Sequence, residues 1–187
     1  MRGRRIGLNL LFPPRCVCCD ADLPGLEDDL LLCSACRDVL GPVEWPSCQR
    51  CGATKPADAP PPESCGWCRA ARLQFDRVVV LGAYGGKLRE AVLKMKRPGS
   101  EPLSAAMGRV YNNYRGDLVA SLRPDVIVPI PMHWSRRLAR GTNSPDILAD
   151  CLARYLRVPL AAGLLSRCRN TLPQNNLSPT KRFRNVR

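Results

Sequence analysis

Four Cys-x2-Cys motifs decide the fold of the N-terminal part of the chain: Cys16-Val-Cys-Cys19, Cys33-Ser-Ala-Cys36, Cys48-Gln-Arg-Cys51 and Cys65-Gly-Trp-Cys68. They form a repeat, because 13 residues separate the first motif from the second and 13 separate the third from the fourth. A Cys-x2-Cys turn points both sulfurs at one ion, and a second such turn completes a tetrahedron. The sequence therefore predicts two tandem tetrathiolate zinc sites, each formed by one copy of the repeat.

Both zinc ions are expected to be structural. Four thiolates occupy every position of a tetrahedral ion, so no position remains for water or a substrate. A segment this short buries little apolar surface, and metal binding is expected to supply its folding free energy. We predict a lead-in at residues 1–14 and a double zinc ribbon at residues 15–72.

Four alternatives to this interpretation remain open. Disulfides need an oxidising compartment, whereas the basic and then apolar start of the chain does not resemble an export signal, which favours a cytoplasmic location. Iron could replace zinc, since it also binds tetrahedral thiolates. A cross-braced pairing, in which the first and third motifs share an ion, is also compatible with the spacing, and Cys18 could substitute as a ligand.

Positive charge is concentrated in the C-terminal part of the chain. The formal net charge is +13. Residues 1–75 contain nine basic and nine acidic residues, whereas residues 76–187 contain twenty basic and seven acidic residues. A surface of this kind suits partners that contain phosphate, either nucleotides or nucleic acids. A solvated basic surface without a specific ligand is the alternative.

The sequence after residue 72 predicts an α/β fold. Apolar runs without alternation predict strands, and apolar residues spaced three to four apart predict helices. Alternating strands and helices favour a mostly parallel sheet. The predicted strands are 75–84, 125–131 and 158–166, and the predicted helices are 87–96, 102–122 and one that begins at Ser144.

A basic loop is predicted between the second strand and the last helix, at residues 133–143. Ligands of parallel α/β folds bind beyond the carboxyl ends of strands. Arginine side chains and backbone N–H groups near a glycine can hold a phosphate there. His133 is expected to be exposed or locally hydrogen-bonded rather than catalytic. The phosphate-binding candidates are Arg136, Arg137, Arg140 and Gly141.

The order of short motifs along the chain resembles the ComF family, whose members join a double zinc ribbon to a phosphoribosyltransferase-like domain. The chain has a Leu-Phe-Pro start, a Phe-to-Tyr strand, a Lys-x-Lys helix end, a Val-Pro-x-Pro strand, an Arg-Gly-x-Asn loop and a basic tail. Each motif is weak by itself, but their order is specific. The matching positions are Phe75, Tyr84, Lys94, Lys96, Val128, Pro129, Pro131, Arg140, Gly141, Asn143, Arg167, Arg169, Thr171, Gln174, Arg182, Asn185 and Val186.

This resemblance implies an incomplete phosphoribosyltransferase type I-like domain at residues 73–187, with a mostly parallel sheet. It implies a diphosphate site with Lys94 and Lys96 as auxiliary cations, and Mg²⁺ when phosphoribosyl diphosphate binds. The family normally continues into two acidic residues and a Thr-Thr-Gly loop, which are absent before Arg187. We therefore expect a truncated, catalytically incomplete chain that does not turn over phosphoribosyl diphosphate by itself.

The resemblance also implies a role in DNA uptake during competence. Single-stranded DNA or another nucleic acid is one possible partner, and a helicase or channel component of the uptake machinery is another. A non-enzymatic zinc-ribbon module that binds DNA or acts as a scaffold is the alternative function. No apolar run is long enough to span a membrane. Aromatic residues are few, so a stacking platform for single strands is not evident.

Overall fold

The computed structural model describes residues 13–24, 30–41, 47–54, 65–70, 73–174 and 177–185. Within these ranges the chain is mainly helical. The N-terminal lead-in lies almost entirely outside the described residues. The helices are α1 (Ser34–Leu40), α2 (Gly66–Ala70), α3 (Gly86–Lys94), α4 (Glu101–Ser121), α5 (Trp134–Arg140), α6 (Ser144–Leu156) and α7 (Pro179–Asn185).

The longest helices, α4 and α6, pack against each other over much of their length. The contact face of α4 has small or polar residues one helical turn apart, at Gly108, Asn112 and Gly116. A Cβ atom at Gly108 would lie 2.8 Å from the Cβ of Cys151, so the glycine permits the close approach of the two helices. Asn112 Nδ2 donates to the carbonyl oxygen of Cys151 (2.9 Å), which fixes the register.

The predicted helix boundaries agree with the structure to within about two residues. Helix α4 has Pro102 in its first turn, where a missing N–H costs nothing, and it ends before Arg123, which has a φ of 50°. Helix α6 starts at Ser144, as predicted, with Pro145 and Asp146 in its first turn. Proline in the first turn therefore marks where each of these helices begins.

The predicted parallel sheet is represented in the described residues by one parallel bridge. Ile127 donates its N–H to the carbonyl oxygen of Pro159 and accepts the N–H of Ala161, both at 2.9 Å. In a longer ladder, residue 129 would donate the next N–H to the same partner segment, but Pro129 has no N–H. Proline thus stops the ladder after one residue, and the predicted strands at 125–131 and 158–166 do not form as extended strands.

The segment predicted as a strand at 75–84 is not hydrogen-bonded to a neighbouring strand but to other parts of the described chain. The N–H of Val78 donates to the carbonyl oxygen of Arg50 in the third cysteine motif (2.9 Å). From helix α4, Tyr111 Oη donates a hydrogen bond to the carbonyl oxygen of Val79 (3.1 Å), and Arg115 Nε donates to the carbonyl oxygen of Val80 (3.0 Å). The strand prediction was wrong here. Side chains of α4 and the third cysteine motif bond to the backbone groups with which a neighbouring strand would pair.

The predicted basic loop at 133–143 is largely helical. Helix α5 occupies Trp134–Arg140, with His133 at its N-cap. Gly141 has a φ of 72° and donates its N–H to the carbonyl oxygen of Arg137 (2.8 Å). Gly141 is thus the glycine that ends a helix, a position where the left-handed conformation favours this residue. The loop prediction was wrong because arginine, leucine and alanine are good helix formers.

The hydrophobic core joins the first zinc ribbon to the helices that follow. Cys16, Leu32 and Leu40 are almost completely buried in the same cluster as helices α3 and α4. Complete burial of one leucine contributes about 1.5–3 kcal/mol. The helical members of the cluster are Ala91, Met95, Leu103, Ala106, Met107 and Val110.

The close contact of α4 with α6 predicts a cost for adding one methyl group. Gly108→Ala should destabilise the protein by about 1–3 kcal/mol, because overpacking at Cys151 outweighs the better helix propensity of alanine. Chemical denaturation measures the change. Asn113→Ala, on the exposed face of α4, is the matched control and should leave the free energy of unfolding unchanged or slightly higher. Equal stabilisation by both variants would contradict the packing.

Candidate metal centres and basic cavity

The structure brings the eight repeat cysteines together as two groups of four. In each group, the four Sγ atoms all lie within 4.8 Å of one another. The grouping follows the chain order, so each copy of the repeat forms its own site and the pairing is not cross-braced. The first site contains Cys16, Cys19, Cys33 and Cys36, and the second contains Cys48, Cys51, Cys65 and Cys68.

The sulfur–sulfur distances fit a tetrahedral zinc ion. A Zn–S bond of about 2.3 Å places the four sulfurs of a regular tetrahedron about 3.8 Å apart. The Sγ atoms of Cys19 and Cys33 are 3.6 Å apart, those of Cys48 and Cys68 are 3.7 Å apart, and those of Cys51 and Cys65 are 3.8 Å apart. These separations are far longer than a disulfide bond, and each pair joins two different motifs. Two structural zinc ions fit the two sites.

The two sites share one local backbone design. Cys16 donates its N–H to the carbonyl oxygen of Ala21 and accepts the N–H of Asp20, and Cys48 has the same two bonds with Ala53 and Gly52, all at 2.8 Å. Asp20 and Gly52 occupy equivalent positions of the repeat, and both have a positive φ, 64° and 72°. The sequence repeat is therefore a structural repeat.

The environment of the cysteines favours a bound cation. Backbone N–H groups, first that of Cys51, lower the pKa of the Cys48 thiol to about 6, which stabilises a thiolate. Burial and then the neighbouring thiols raise the pKa of Cys68 to about 12. One thiolate in a site thus opposes the ionisation of the next. A dication removes this opposition, because it neutralises the negative charges that the cysteines share.

Helix α3 is tied to the first site through Lys94. Its Nζ donates to the carbonyl oxygen of Cys18 (3.0 Å) and lies 3.2 Å from Asp20 Oδ2. Lys94 was predicted as an auxiliary cation for phosphate, but the structure places its ammonium group against the zinc ribbon. No local pattern indicates this contact, because it joins residues more than seventy positions apart.

The second site contacts the segment that leads into α3. A Cβ atom at Gly52 would lie 3.0 Å from Val80 Cγ1, so the third cysteine motif lies directly on this segment. The Arg50 side chain donates to the carbonyl oxygen of Leu73 (3.5 Å). The second site therefore holds the start of residues 73–80, whereas the first site belongs to the main core.

A cavity of about 350 Å³ lies among α3, α5 and the start of α6, and four basic side chains line it. We call it the basic cavity. Among the described residues, neither an aspartate nor a glutamate lines it. Two of its cations, Lys96 and Arg140, were predicted as phosphate ligands, and neither pairs with a carboxylate within the described part of the chain. The four basic residues are Lys96, Arg136, Arg140 and Arg167.

The remaining phosphate-binding candidates have other contacts. Arg137 NH2 lies 3.4 Å from Asp146 Oδ2, so this arginine ties α5 to the first turn of α6. The N–H of Gly141 is used within its own helix. Arg136 lines the cavity while one of its NH groups donates to the carbonyl oxygen of Thr171. His133 is locally hydrogen-bonded, as predicted, with Nδ1 2.8 Å from Ser135 Oγ.

Sequence reasoning missed two residues of the basic cavity. Arg167 lines it although it lies far along the chain, and it also donates to Thr171 Oγ1. The sequence signal that could have identified Arg167 was its position in the basic tail motif. Asn143 is also buried there, and its Oδ1 has no hydrogen-bond partner among the residues that the structure describes. An acceptor that lacks a partner beside four cations suits a ligand that bears both phosphate and a donor group.

Among the described residues, none of the helices has both the length and the apolar character that membrane crossing requires.

The sequence comparisons agree with the metal centres. A family model described as a double zinc ribbon domain matches residues 7–71. Over 179 residues the chain is 26% identical to Competence protein F of Haemophilus influenzae, a match that covers 94% of this chain and 75% of that protein. Over 164 residues it is 32% identical to the DNA utilization protein YhgH of Salmonella typhimurium, covering 83% and 68% respectively. No solved structure matches the chain significantly.

The paired sites predict the metal content. The purified chain should contain two zinc ions, and Cys68→Ala should contain one, because three thiolates hold zinc far less tightly than four. Cys168→Ala is the matched control, since this cysteine belongs to neither site, and it should still contain two. Elemental analysis against protein concentration measures the ratio. A single ion in the wild-type chain would contradict the assignment.

Proposed function

Because the chain belongs to the ComF family, we propose that it handles DNA during uptake or utilisation and holds phosphate groups in its basic cavity. The names of its relatives, competence protein and DNA utilization protein, support the biological setting. The chemistry of the cavity supports the mode of contact. The zinc ribbons act as scaffolding in this proposal and do not contact the phosphates.

One observation is central to the proposal: four cations surround a cavity without a carboxylate in its lining. Like charges at close range repel, so such a cluster is costly unless an anion offsets it. Arginine offers several donors in a fixed plane that matches phosphate oxygens, and lysine adds a compact charge. The nearest acid in sequence, Asp146, accepts from Asn143 Nδ2 (2.8 Å) and pairs with Arg137, so its charge is already compensated.

The wider charge distribution would bring nucleic acid toward this cavity. The C-terminal part of the chain contains twenty basic and seven acidic residues, and its last acid is Asp150. A field of one sign raises the local concentration of an oppositely charged partner and speeds its association. Binding of this kind depends mainly on the phosphate backbone and weakens steeply as salt is added.

A second candidate function is binding of phosphoribosyl diphosphate. The buried Oδ1 of Asn143, which has no partner, favours it, because a ribose hydroxyl could donate to this atom while the cations hold phosphate. Mg²⁺ would accompany the diphosphate. We propose binding without turnover, since no carboxylate of the described residues lines the basic cavity to act as a general base. The parallel bridge between Ile127 and Leu160 supports a phosphoribosyltransferase-like domain at residues 73–187.

The proposed DNA contact predicts a change in salt dependence. Lys96→Ala combined with Arg140→Ala should weaken DNA binding. It should also reduce the slope of log K against log salt by about 1.4 if each cation neutralises one phosphate of a single strand. Fluorescence anisotropy at several salt concentrations measures both quantities.

The matched control removes the same two charges elsewhere. Lys87→Ala combined with Arg154→Ala takes away cations that are already paired with Glu90 and Asp150 on exposed helix faces. This variant should keep nearly the wild-type slope. Equal losses in the two double variants would mean that net charge, and not the basic cavity, governs binding.

The enzymatic alternative has its own test. The zinc-loaded chain, mixed with phosphoribosyl diphosphate and Mg²⁺, should release no diphosphate above the background without protein. Titration of the same ligand by calorimetry should still detect binding, and Asn143→Ala should weaken it. Measurable diphosphate release would show that the chain is a complete enzyme.

A further inference from the structure

Asn143 occupies the N-cap position of α6 and lines the basic cavity, with 6% of its surface exposed. The side-chain oxygen of an N-cap asparagine usually accepts a backbone N–H of the first helical turn. The side chain of Asn143 makes no such bond. Its Oδ1 is buried and has no hydrogen-bond partner within the described ranges. The side-chain oxygen therefore does not serve to cap the helix.

The nitrogen of the same amide is held by Asp146. Asn143 Nδ2 donates to Asp146 Oδ1 (2.8 Å), and the second carboxylate oxygen, Oδ2, lies 3.4 Å from Arg137 NH2. Within the part of the chain that the structure describes, Asn143 lines the basic cavity and Asp146 does not. The amide nitrogen is thus turned toward a residue outside the cavity wall, which leaves the oxygen on the side of the cavity.

The Asp146 carboxylate determines which end of the amide is turned away from the cavity. A half-turn of the amide would exchange Nδ2 with Oδ1 and bring the oxygen against a carboxylate oxygen. Both atoms are acceptors, and an ionised carboxylate has no proton to donate, so this arrangement is repulsive. Arg137 ties the carboxylate to α5 and restricts its movement. The observed orientation of the amide is therefore the stable one.

The orientation of the amide matters because the side chains of the cavity are mainly donors. The four basic side chains donate, and Ser144 Oγ already donates to the carbonyl oxygen of Met95 (2.6 Å). The hydroxyl of Thr142 can donate or accept, so it does not distinguish ligands by this property. The side-chain oxygen of Asn143 only accepts. It attracts a hydroxyl group of a ligand and repels an oxygen of a deprotonated phosphate.

We propose that Asp146 is a positioning residue of the basic cavity. It holds the Asn143 amide with its oxygen toward the cavity, so that the cavity prefers phosphate esters that carry a hydroxyl group over those without one. The cations hold the phosphate, and the hydroxyl group donates to Asn143 Oδ1. A buried acceptor without a partner is costly, and this donor offsets the cost. The inference rests on the proposed binding of phosphate in the basic cavity and adds the class of ligand.

Asp146 also stabilises α6, and this role has to be separated from positioning. An acidic residue in the first turn of a helix interacts favourably with the helix dipole. Loss of that interaction lowers the folded fraction, which affects all ligands by the same factor. The ratio of two dissociation constants, measured on one variant with two ligands of equal charge, is independent of the folded fraction and reports the orientation of the amide.

Glycerol 3-phosphate and propyl phosphate are the matched probes. They share the phosphate group and a three-carbon chain, and they differ only in the hydroxyl groups of glycerol. NMR titration of the zinc-loaded full chain measures both dissociation constants. Their ratio gives the preference for a hydroxyl group, and it is compared between the wild-type chain and its variants.

Two substitutions of Asp146 separate orientation from charge. Asp146→Ala frees the Asn143 amide to rotate, so the preference for glycerol 3-phosphate should fall about two- to twelvefold, the usual effect of one net hydrogen bond. Asp146→Asn removes the same charge but keeps an oxygen that accepts from Asn143 Nδ2. This variant should retain most of the wild-type preference. The lost negative charge should raise the affinity for both probes alike in the two variants.

A third variant tests whether Asp146 acts through Asn143. Asn143→Ala removes the acceptor directly and should lower the preference by the same factor as Asp146→Ala. The combination of both substitutions should lower it no further, because the two residues affect one interaction. Additive losses in the double variant would show that Asp146 acts by another route and would overturn the proposal.

Failure of this inference is distinguishable from failure of the proposed function. If Lys96→Ala combined with Arg140→Ala leaves the binding of both probes unchanged, phosphate is not held in the basic cavity and both proposals fall. If that double variant loses both probes but Asp146→Ala keeps the wild-type preference, only this inference falls. It also falls if Asp146→Asn loses as much preference as Asp146→Ala, since charge and not orientation would then be responsible.

Discussion

The first cysteine quartet is the constraint on which the rest of the structure depends. Bringing Cys16, Cys19, Cys33 and Cys36 around one point joins residues 13–24 to residues 30–41 and places Cys16 and two leucines in the main core. Without a cation, closely packed thiols resist ionisation, as the raised pKa of Cys36 shows; burial is the first cause of that shift, followed by its hydrogen bonds to neighbouring thiols. The metal therefore stabilises a surface against which the later helices fold.

The basic cavity is connected to that quartet by helix α3. Lys94 of α3 donates to the carbonyl oxygen of Cys18 in the first site. The next residue, Met95, is buried in the core that the ribbon shares with the helices. The carbonyl oxygen of Met95 accepts hydrogen bonds from Ser100 Oγ (2.8 Å) and from Ser144 Oγ (2.6 Å). Lys96 follows Met95 directly, and both Lys96 and Ser144 line the basic cavity. The ribbon and the basic cavity are thus parts of one packed unit.

The metal centres and the main helices could be predicted from the sequence because their determinants are local. Cysteine spacing predicted both quartets, and the Ser-Pro-Asp start predicted α6 at the correct residue. The strands could not be predicted from apolar runs, since a ladder depends on partners remote in sequence and Pro129 stops the one that begins. The basic loop was assigned from arginine and glycine, but those residues also suit a short helix with a glycine at its end. The contact of Lys94 with the first zinc ribbon and the place of Arg167 in the basic cavity could not be predicted, because both depend on residues far apart in the chain.

Hydrogen exchange of helix α3 tests most directly whether the first quartet organises the domain that follows. Amide protection over Gly86–Lys94 should be compared in the zinc-loaded chain with Cys36→Ala and with Cys68→Ala, each of which removes one ligand from one site. Loss of the first site should expose α3 to rapid exchange, because Lys94 and the shared core lose their support. Loss of the second site should leave α3 protected. Equal protection of α3 in both variants, or its loss with the second site alone, would contradict this account.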